Sequence, residues 1–155
     1  MEFQLWWTGK TAFKYLEDGI HDYKSRVGKM CRFTIHEFKG TKSIKNPELI
    51  MEMEENDMYK KLQKNDYVIL LDEKGKKFTS QNFATEISRL QTLSNPRVTF
   101  VIGGAYGFSE KFKKNANYLL SFSDFTMSHQ LIRLVFMEQL YRAFTIINNK
   151  PYHND

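Results

Sequence analysis

Two uninterrupted runs of aliphatic, aromatic and β-branched residues, 67–71 and 98–102, most restrict what this chain can fold into. A strand with one face in water alternates apolar and polar residues, whereas a strand without alternation is buried on both faces. Segments with helical periodicity, such as 80–93, separate these strands from each other. The pattern predicts an α/β fold, a parallel-sheet α/β/α sandwich, and the length fits one domain over residues 1–155.

Three loops that follow predicted strands form the candidate pocket, because ligands of such sheets bind beyond the carboxyl ends of the strands. These strand ends are Leu71-Asp72, Ile102-Gly103-Gly104 and Phe122-Ser123-Asp124. The glycine-rich sequence GGAYG at 103–107 lacks the G-x-G-x-x-G spacing of dinucleotide-binding turns. Glycine permits both a sharp turn and close approach to a flat ligand. From the residues alone, a structural turn and a ligand site both remain open.

Charge and cysteine content narrow the possible partners. The formal net charge is +5, and lysines cluster at 39–45, 74–77 and 111–114. This favours a polyanionic partner such as nucleic acid, although solvated loops would also carry such lysines. Cys31 is the single cysteine, which excludes an internal disulfide, and no residue spacing predicts a metal site. No segment approaches the ~18 apolar residues of a membrane span, and we expect a cytoplasmic protein.

The predicted C-terminal helix, 129–147, is apolar around nearly its whole circumference. A surface helix has one apolar stripe, so this helix should be buried on more than one side. Because a chain of this length supplies only one sheet, we expect the second side to contact another chain. Glu138 and Arg142 are four residues apart and share one helix face, which fits a stabilising ion pair as well as a functional pair.

Three motifs together carry a resemblance to a known family. They are LLDEKG at 70–75, FVIGGAYGFS at 100–109, and the final segment from 125, which contains EQLYRA and NKPYH. In order and spacing they resemble the ribosomal RNA large subunit methyltransferase H family, small S-adenosylmethionine-dependent enzymes of the SPOUT class. The resemblance implies a deep C-terminal trefoil knot, a homodimer packed through it, and methylation at N3 of a pseudouridine in 23S rRNA on assembled ribosomes.

The resemblance also implies which residues form the site. Cofactor contacts fall on the three strand-end loops, at Leu71, Gly103, Gly104, Ser123, Asp124, Phe125, Thr126, Met127 and Ser128. Catalytic roles fall on His129, Arg142, Tyr152 and His153. Arg142 would stabilise the anionic base or bind a phosphate, and His153 would accept the N3 proton. Tyr152 would stack on or hydrogen-bond the nucleoside, and His129 would help to orient the RNA.

Some residues depart from the family pattern. Ser128 and Gln130 stand where the family usually has prolines, the pair at 105–106 replaces a proline-containing one, and the tail 154–155 lacks a common basic residue. We therefore expect a less rigid loop around His129 and a weaker terminal phosphate contact. Two other functions stay open: a non-catalytic ribosome-binding protein on the same fold, and a nucleotide- or flavin-binding oxidoreductase.

Overall fold

The computed structural model describes residues 1–41 and 43–154, in which strands and helices alternate. Lys42 and Asp155, which belong to the first lysine cluster and to the tail, lie outside the described residues. The elements are β1 (Glu2–Thr8), α1 (Lys14–Gly28), β2 (Phe33–Phe38), α2 (Pro47–Lys61), β3 (Tyr67–Lys77), α3 (Ser80–Gln91), β4 (Arg97–Ile102), α4 (Glu110–Asn115), β5 (Tyr118–Ser121) and α5 (Leu131–Ile147). The sheet order is β2-β1-β4-β3-β5, and all neighbouring strands are parallel, which confirms the predicted sheet.

Helices cover both faces of the sheet. Residues of α1, α3 and α5 form one core with the first face, and residues of α2 and α4 form a second core with the other. Successive side chains of β1 divide between them, so that Trp6 lies in the second core and Trp7 in the first. β4 does the same with Phe100 and Val101. Burial on both faces explains why these strands show no polar alternation.

β3 is longer than predicted and contains a bulge. Leu71 and Lys76 both register with Leu120 of β5, so the residues between them are looped out before the strand resumes. The charged, glycine-containing sequence at 73–76 predicts a turn between two elements, and that prediction is wrong, because the segment forms the bulged part of β3. Gly75 lies where the main chains of β3 and β5 approach closely, since a Cβ there would lie 2.5 Å from the backbone carbon of Leu119.

Side-chain caps begin α2, α3 and α4. The sequence Asn46-Pro47-Glu48 predicts a helix start, and Asn46 does cap α2, because its side chain accepts from the N–H groups of Glu48 and Leu49. Thr79 caps α3, since its Oγ1 accepts from the N–H of Asn82 at 3.1 Å. The sequence also allows Ser80 as the cap of this helix, and that prediction is wrong, because the Ser80 hydroxyl donates to Gln139 Oε1 of α5 at 2.8 Å. Thr79 is the cap because its side chain reaches the backbone N–H of Asn82, one of the N–H groups in the first turn that have no partner within the helix.

α5 lies on the sheet and also contacts α1 and α3. Some of its apolar side chains are nevertheless only partly covered by the chain: Leu131, Leu134, Val135, Tyr141, Ile146 and Ile147. Leu131 is 42% exposed. The helix thus keeps apolar surface beyond the contacts that the described residues make. The second chain expected there, and the trefoil knot implied by the resemblance, stay predictions.

Candidate active site

The carboxyl ends of β3, β4 and β5 surround a cavity of about 550 Å³. Its wall consists of the three predicted loops and the first turn of α5. The fold therefore brings the three strand-end loops together, as the rule for parallel sheets predicts. The volume falls within the roughly 300–1,000 Å³ of small-molecule sites, and the wall mixes apolar side chains with polar groups.

The glycine turn at 103–107 forms one side of this cavity. The N–H of Gly107 donates to the carbonyl of Gly104 at 3.1 Å, and Gly107 has φ of +72°. A Cβ at Gly103 would lie 3.2 Å from the Cα of Gly107 and from the ring of Phe108. Close packing therefore favours glycine at 103, and left-handed backbone favours it at 107. The structural-turn interpretation is confirmed, and the same turn offers its backbone to a ligand.

Two glutamates of helix α2 contact the glycine turn and the nearby Ser109. Glu55, which is buried, accepts hydrogen bonds from the N–H and the hydroxyl of Ser109 at 2.8 and 2.5 Å. The Ser109 oxygen in turn accepts from the N–H of Phe112 at 3.1 Å and caps α4. Burial, and then the nearby charge of Glu55, raise the pKa of Glu54. The carboxylate of Glu54 faces Gly104.

The loop between β5 and α5 forms the opposite side. The N–H of Phe125 donates to Ser123 Oγ at 2.9 Å, while the Phe125 ring is 84% exposed at the cavity. Ser128, which stands where the family usually has a proline, accepts with its Oγ from the N–H of Leu131, the first residue of α5, at 3.0 Å. Asp124 pairs with Lys77 of β3 and is the one predicted cofactor residue outside the cavity wall.

The most enclosed charged side chains of the wall form an ion pair. Lys113 Nζ of α4 lies 3.4 Å from Asp72 Oδ2, and the Asp72 side chain is 11% exposed. His129 also lines the cavity, and burial, followed by the charge of Arg133, lowers its pKa. Within residues 1–41 and 43–154, no group of three His, Cys, Asp or Glu side chains could hold a metal ion. No helix in the same ranges is long and apolar enough to cross a bilayer.

Arg133 ties the start of α5 to the end of β1. Its guanidinium is 1% exposed and donates to the carbonyls of Thr8 and Gly9, both at 3.1 Å, and to Thr11 Oγ1 at 3.0 Å. Burial lowers the pKa of Arg133 to about 10. Gln130 adds two hydrogen bonds to backbone groups of residues 10 and 12. These contacts anchor the loop around His129 through side chains rather than through prolines.

A second polar cluster, the tail cluster, lies near the other end of α5. Glu138 Oε1 accepts from Nε and Nη2 of Arg142 at 3.0 and 2.5 Å and from the Tyr152 hydroxyl at 3.1 Å. The Tyr152 and Tyr23 hydroxyls lie 3.1 Å apart. Burial, then the hydrogen bond with Tyr23 and the charge of Glu138, raise the pKa of Tyr152, so its phenol is protonated at neutral pH. The Glu138–Arg142 pair is thus a helix ion pair and also the centre of a network.

His153 joins the tail cluster because the chain reverses after α5. Asn149 has φ of +53°, and the N–H of Lys150 donates to the carbonyl of Thr145 at 2.8 Å, a Schellman-type helix end. Arg142 Nη1 then lies 3.1 Å from His153 Nδ1. Guanidinium N–H groups only donate, so Nδ1 accepts and a neutral imidazole carries its proton on Nε2.

The cavity and the tail cluster are separated along α5. Ile132 lines the cavity, and Arg142 lies ten residues further, about 15 Å along the helix axis. One chain therefore brings His129 together with the predicted cofactor residues, Asp124 excepted. It leaves the other three catalytic candidates, Arg142, Tyr152 and His153, in the tail cluster.

The profile of the family described as Predicted SPOUT methyltransferase matches residues 1–153. The chain belongs to the SPOUT methyltransferase family. It is 43% identical over 149 residues to Ribosomal RNA large subunit methyltransferase H from Parabacteroides distasonis, with 95% of each chain covered. It is 44% identical over 158 residues to the protein of the same name from Natranaerobius thermophilus, with 99% of each covered. The family predicted from the motifs is confirmed.

Solved SPOUT-like structures share the fold at low identity. The tRNA (m1G37) methyltransferase from Aquifex aeolicus has a TM-score of 0.53 and 13% identity, covering 100% of this chain and 76% of that one. A protein from Legionella pneumophila, solved in complex with the bound cofactor SAM, has a TM-score of 0.50 and 12% identity, covering 92% of this chain and 66% of that one. At such identities the likeness concerns the fold alone, and it supports the α/β SPOUT assignment.

Nothing in the sequence indicated that two polar residues, Tyr23 and Lys113, belong to the tail cluster and the cavity of this SPOUT chain. Tyr23 reaches Tyr152 from α1, and only its helical spacing was visible in the sequence. Lys113 belongs to the lysine cluster 111–114, which was expected to contact a polyanion or solvent, but its side chain lines the cavity. Asp72, by contrast, was predicted in the pocket because it follows the buried run 67–71 at the ligand-binding edge of the sheet, and it does line the cavity.

Proposed function

We propose that this chain transfers a methyl group from S-adenosylmethionine to N3 of a pseudouridine in 23S rRNA, acting in the cytoplasm on assembled ribosomes. Relatives named Ribosomal RNA large subunit methyltransferase H, 43% and 44% identical over nearly the whole chain, support the substrate class. The observation that carries the chemistry is the tail cluster, in which a guanidinium, a protonated phenol and an imidazole converge.

The cavity fits the proposed cofactor. The glycine turn lets main chain approach a flat ring, and Leu71, Ile102 and Ile132 give the wall apolar surface. Asp72 and Lys113 supply charge for a polar end. Leu71, Gly103, Gly104 and the loop 123–128 would hold the cofactor, with Asp124 acting on the loop through Lys77. When bound, S-adenosylmethionine supplies an activated methyl group.

The tail cluster would prepare the nucleoside. The N3 imide proton must leave before the nitrogen lone pair can attack, and Arg142 would stabilise the resulting negative charge. As the guanidinium turns to the base, Nδ1 of His153 is released and accepts the N3 proton. Glu138 keeps Arg142 oriented, a positioning effect that can contribute strongly to rate. Tyr152 remains a hydrogen-bond donor or stacking surface for the nucleoside.

We propose that a homodimer builds each site from two chains. Within one chain the cavity and Arg142 are about 15 Å apart, too far for groups that must meet at one methyl carbon. The incompletely covered apolar residues of α5, including Leu131, offer the surface on which a second copy can pack. The tail cluster of one protomer would then face the cavity of its partner, with His129 at the junction.

Exposed lysines would contact rRNA phosphates around this site. Lys10 and Lys39 follow β1 and β2, and Lys74 lies in the bulge of β3 on the cavity wall, so all three lie at the edge of the sheet that carries the cavity. Together with the net charge of +5, they favour a salt-dependent contact with a polyanion.

A labelled-methyl assay tests the proposed function. Wild-type protein is mixed with methyl-labelled S-adenosylmethionine and either whole ribosomes or free 23S rRNA, and the modified nucleoside is identified by mass spectrometry. We expect transfer to ribosomes at N3 of a pseudouridine. Ribosome binding without transfer would instead identify a non-catalytic binding protein, and binding of nicotinamide or flavin would indicate the oxidoreductase.

Replacement of Arg142 by methionine tests the role of the tail cluster. We expect a loss of about 100- to 1,000-fold in turnover, as for other groups that stabilise developing charge. Affinity for S-adenosylhomocysteine should be unchanged. Arg89→Met is the matched control, since Arg89 also pairs with a glutamate on its own helix but lies in α3. Retained turnover in Arg142→Met would reject the assigned role.

A further inference from the structure

The Asp72–Lys113 pair occupies a distinctive place in the cavity. Both residues line the wall, and their side chains are only 11% and 22% exposed. Asp72 Oδ1 accepts from the backbone N–H of Lys74 at 2.9 Å, which leaves Oδ2 directed at Lys113. Lys113 also lies 3.7 Å from Glu110, whose side chain is 84% exposed and points into solvent. The closer and better shielded contact of Lys113 is therefore Asp72.

Such a pair is suited to a ligand that carries both charges. Taking an ammonium and a carboxylate partly out of water is costly unless each keeps an opposite charge nearby. A separation of 3.4 Å between Nζ and Oδ2 is longer than a good charge-assisted hydrogen bond, so the pair can open without losing an ideal contact. A zwitterion can then take over both partners, with its ammonium on Asp72 and its carboxylate on Lys113.

We propose that Asp72 and Lys113 form the subsite for the α-amino-acid group of the cofactor, and that they select for ligands that carry this zwitterion. The inference rests on the proposed function. It names the side chains that bind the end of the ligand remote from adenine. The glycine turn and the loop 123–128 would hold the nucleoside part, so the two parts of the ligand depend on different residues.

Calorimetric titration with two ligands tests the subsite. S-adenosylhomocysteine carries the amino-acid group, whereas 5′-methylthioadenosine has the same nucleoside and sulfur without it. Lys113→Met and Asp72→Asn should each weaken S-adenosylhomocysteine about 10- to 100-fold, the usual effect of losing a hydrogen bond to a charged group. Affinity for 5′-methylthioadenosine should stay within about twofold. Lys111→Met, which changes an exposed lysine two positions away on the same helix, should change neither affinity.

The comparison of ligands separates the possible failures. If wild-type protein binds S-adenosylhomocysteine but Lys113→Met and Asp72→Asn bind it equally well, the subsite is wrong and the proposed function stands. If the variants lose affinity equally for both ligands, the two residues either contact the nucleoside part or support the fold. Either result would also overturn the subsite. Wild-type protein that binds neither ligand would overturn the proposed function and the subsite with it. A selective loss for S-adenosylhomocysteine in both variants supports the inference.

Discussion

A mixed dimer tests most directly whether two chains share each site. One protomer carries Arg142→Met, which breaks the tail cluster. The other carries Gly103→Val, which breaks the cavity, because even a Cβ at this position would lie 3.2 Å from the Cα of Gly107 and branching adds two more methyl groups. In the mixed dimer, the intact cavity of the first protomer faces the intact tail of the second. The remaining site combines both defects.

The expected turnover follows from counting sites. A dimer with one intact site of two should have about half of wild-type turnover. Each parent homodimer should fall to about 1% or less, since Arg142→Met removes the stabilising charge and Gly103→Val removes cofactor binding. The turnover of the mixed dimer should therefore exceed that of either parent at least about 50-fold. If each site were built within one chain, the mixed dimer would be as inactive as its parents.

The assay requires pure mixed dimer. Two distinguishable affinity sequences on the amino termini, followed by two-step purification, isolate it, because Met1 lies at the edge of the sheet opposite the cavity. Methyl transfer to ribosomes is then measured for the mixed dimer, both parents and doubly labelled wild type. Gly28→Val provides the control for an added valine, since a Cβ at Gly28 meets no atom within 4 Å. Mixed-dimer turnover equal to that of the parents would refute the shared site.

Three further predictions concern individual contacts. Arg133→Ala should lower the free energy of unfolding by about 2–4 kcal/mol in urea denaturation, because buried carbonyls lose their donors; an unchanged midpoint would contradict this. The lowered pKa of His129 means that the unfolded chain binds more protons, so stability should fall as pH drops below about 6.5. His129→Gln should remove this contribution to the pH dependence of the free energy of unfolding. An unchanged pH dependence in the variant would contradict the prediction. Tyr23→Phe should reduce turnover about three- to tenfold without changing S-adenosylhomocysteine affinity, since it removes one hydrogen bond from Tyr152; an equal loss of affinity would place Tyr23 at the cavity instead.

Local patterns predicted the parts of the fold that depend on local burial. β4 and the first half of β3 are buried on both faces, and their sequences lack polar alternation for that reason. The position of the cavity followed from a general property of parallel sheets rather than from any one residue. The three strand-end loops therefore came together as expected.

Local sequence patterns could not predict contacts between residues that are far apart in the sequence. The second half of β3 contains lysines and a glycine, as a turn would, and it is a strand because β5 pairs with it. Asp124 lies within the cofactor motif, yet Lys77 draws it away from the cavity wall. The distance between Ile132 and Arg142 depends on an unbroken helix, which motif order alone does not reveal.

The adjacent tryptophans of β1 give the protein two separate optical reporters. Trp6 is fully buried in the layer formed with α2 and α4, and its indole N–H donates to Gln4 at 2.9 Å. Trp7 lies in the other layer, 4.7 Å beneath the Arg133 guanidinium. Fluorescence of Trp6→Phe and Trp7→Phe variants would therefore follow the melting of each helical layer on its own, and would reveal whether the two layers loosen together.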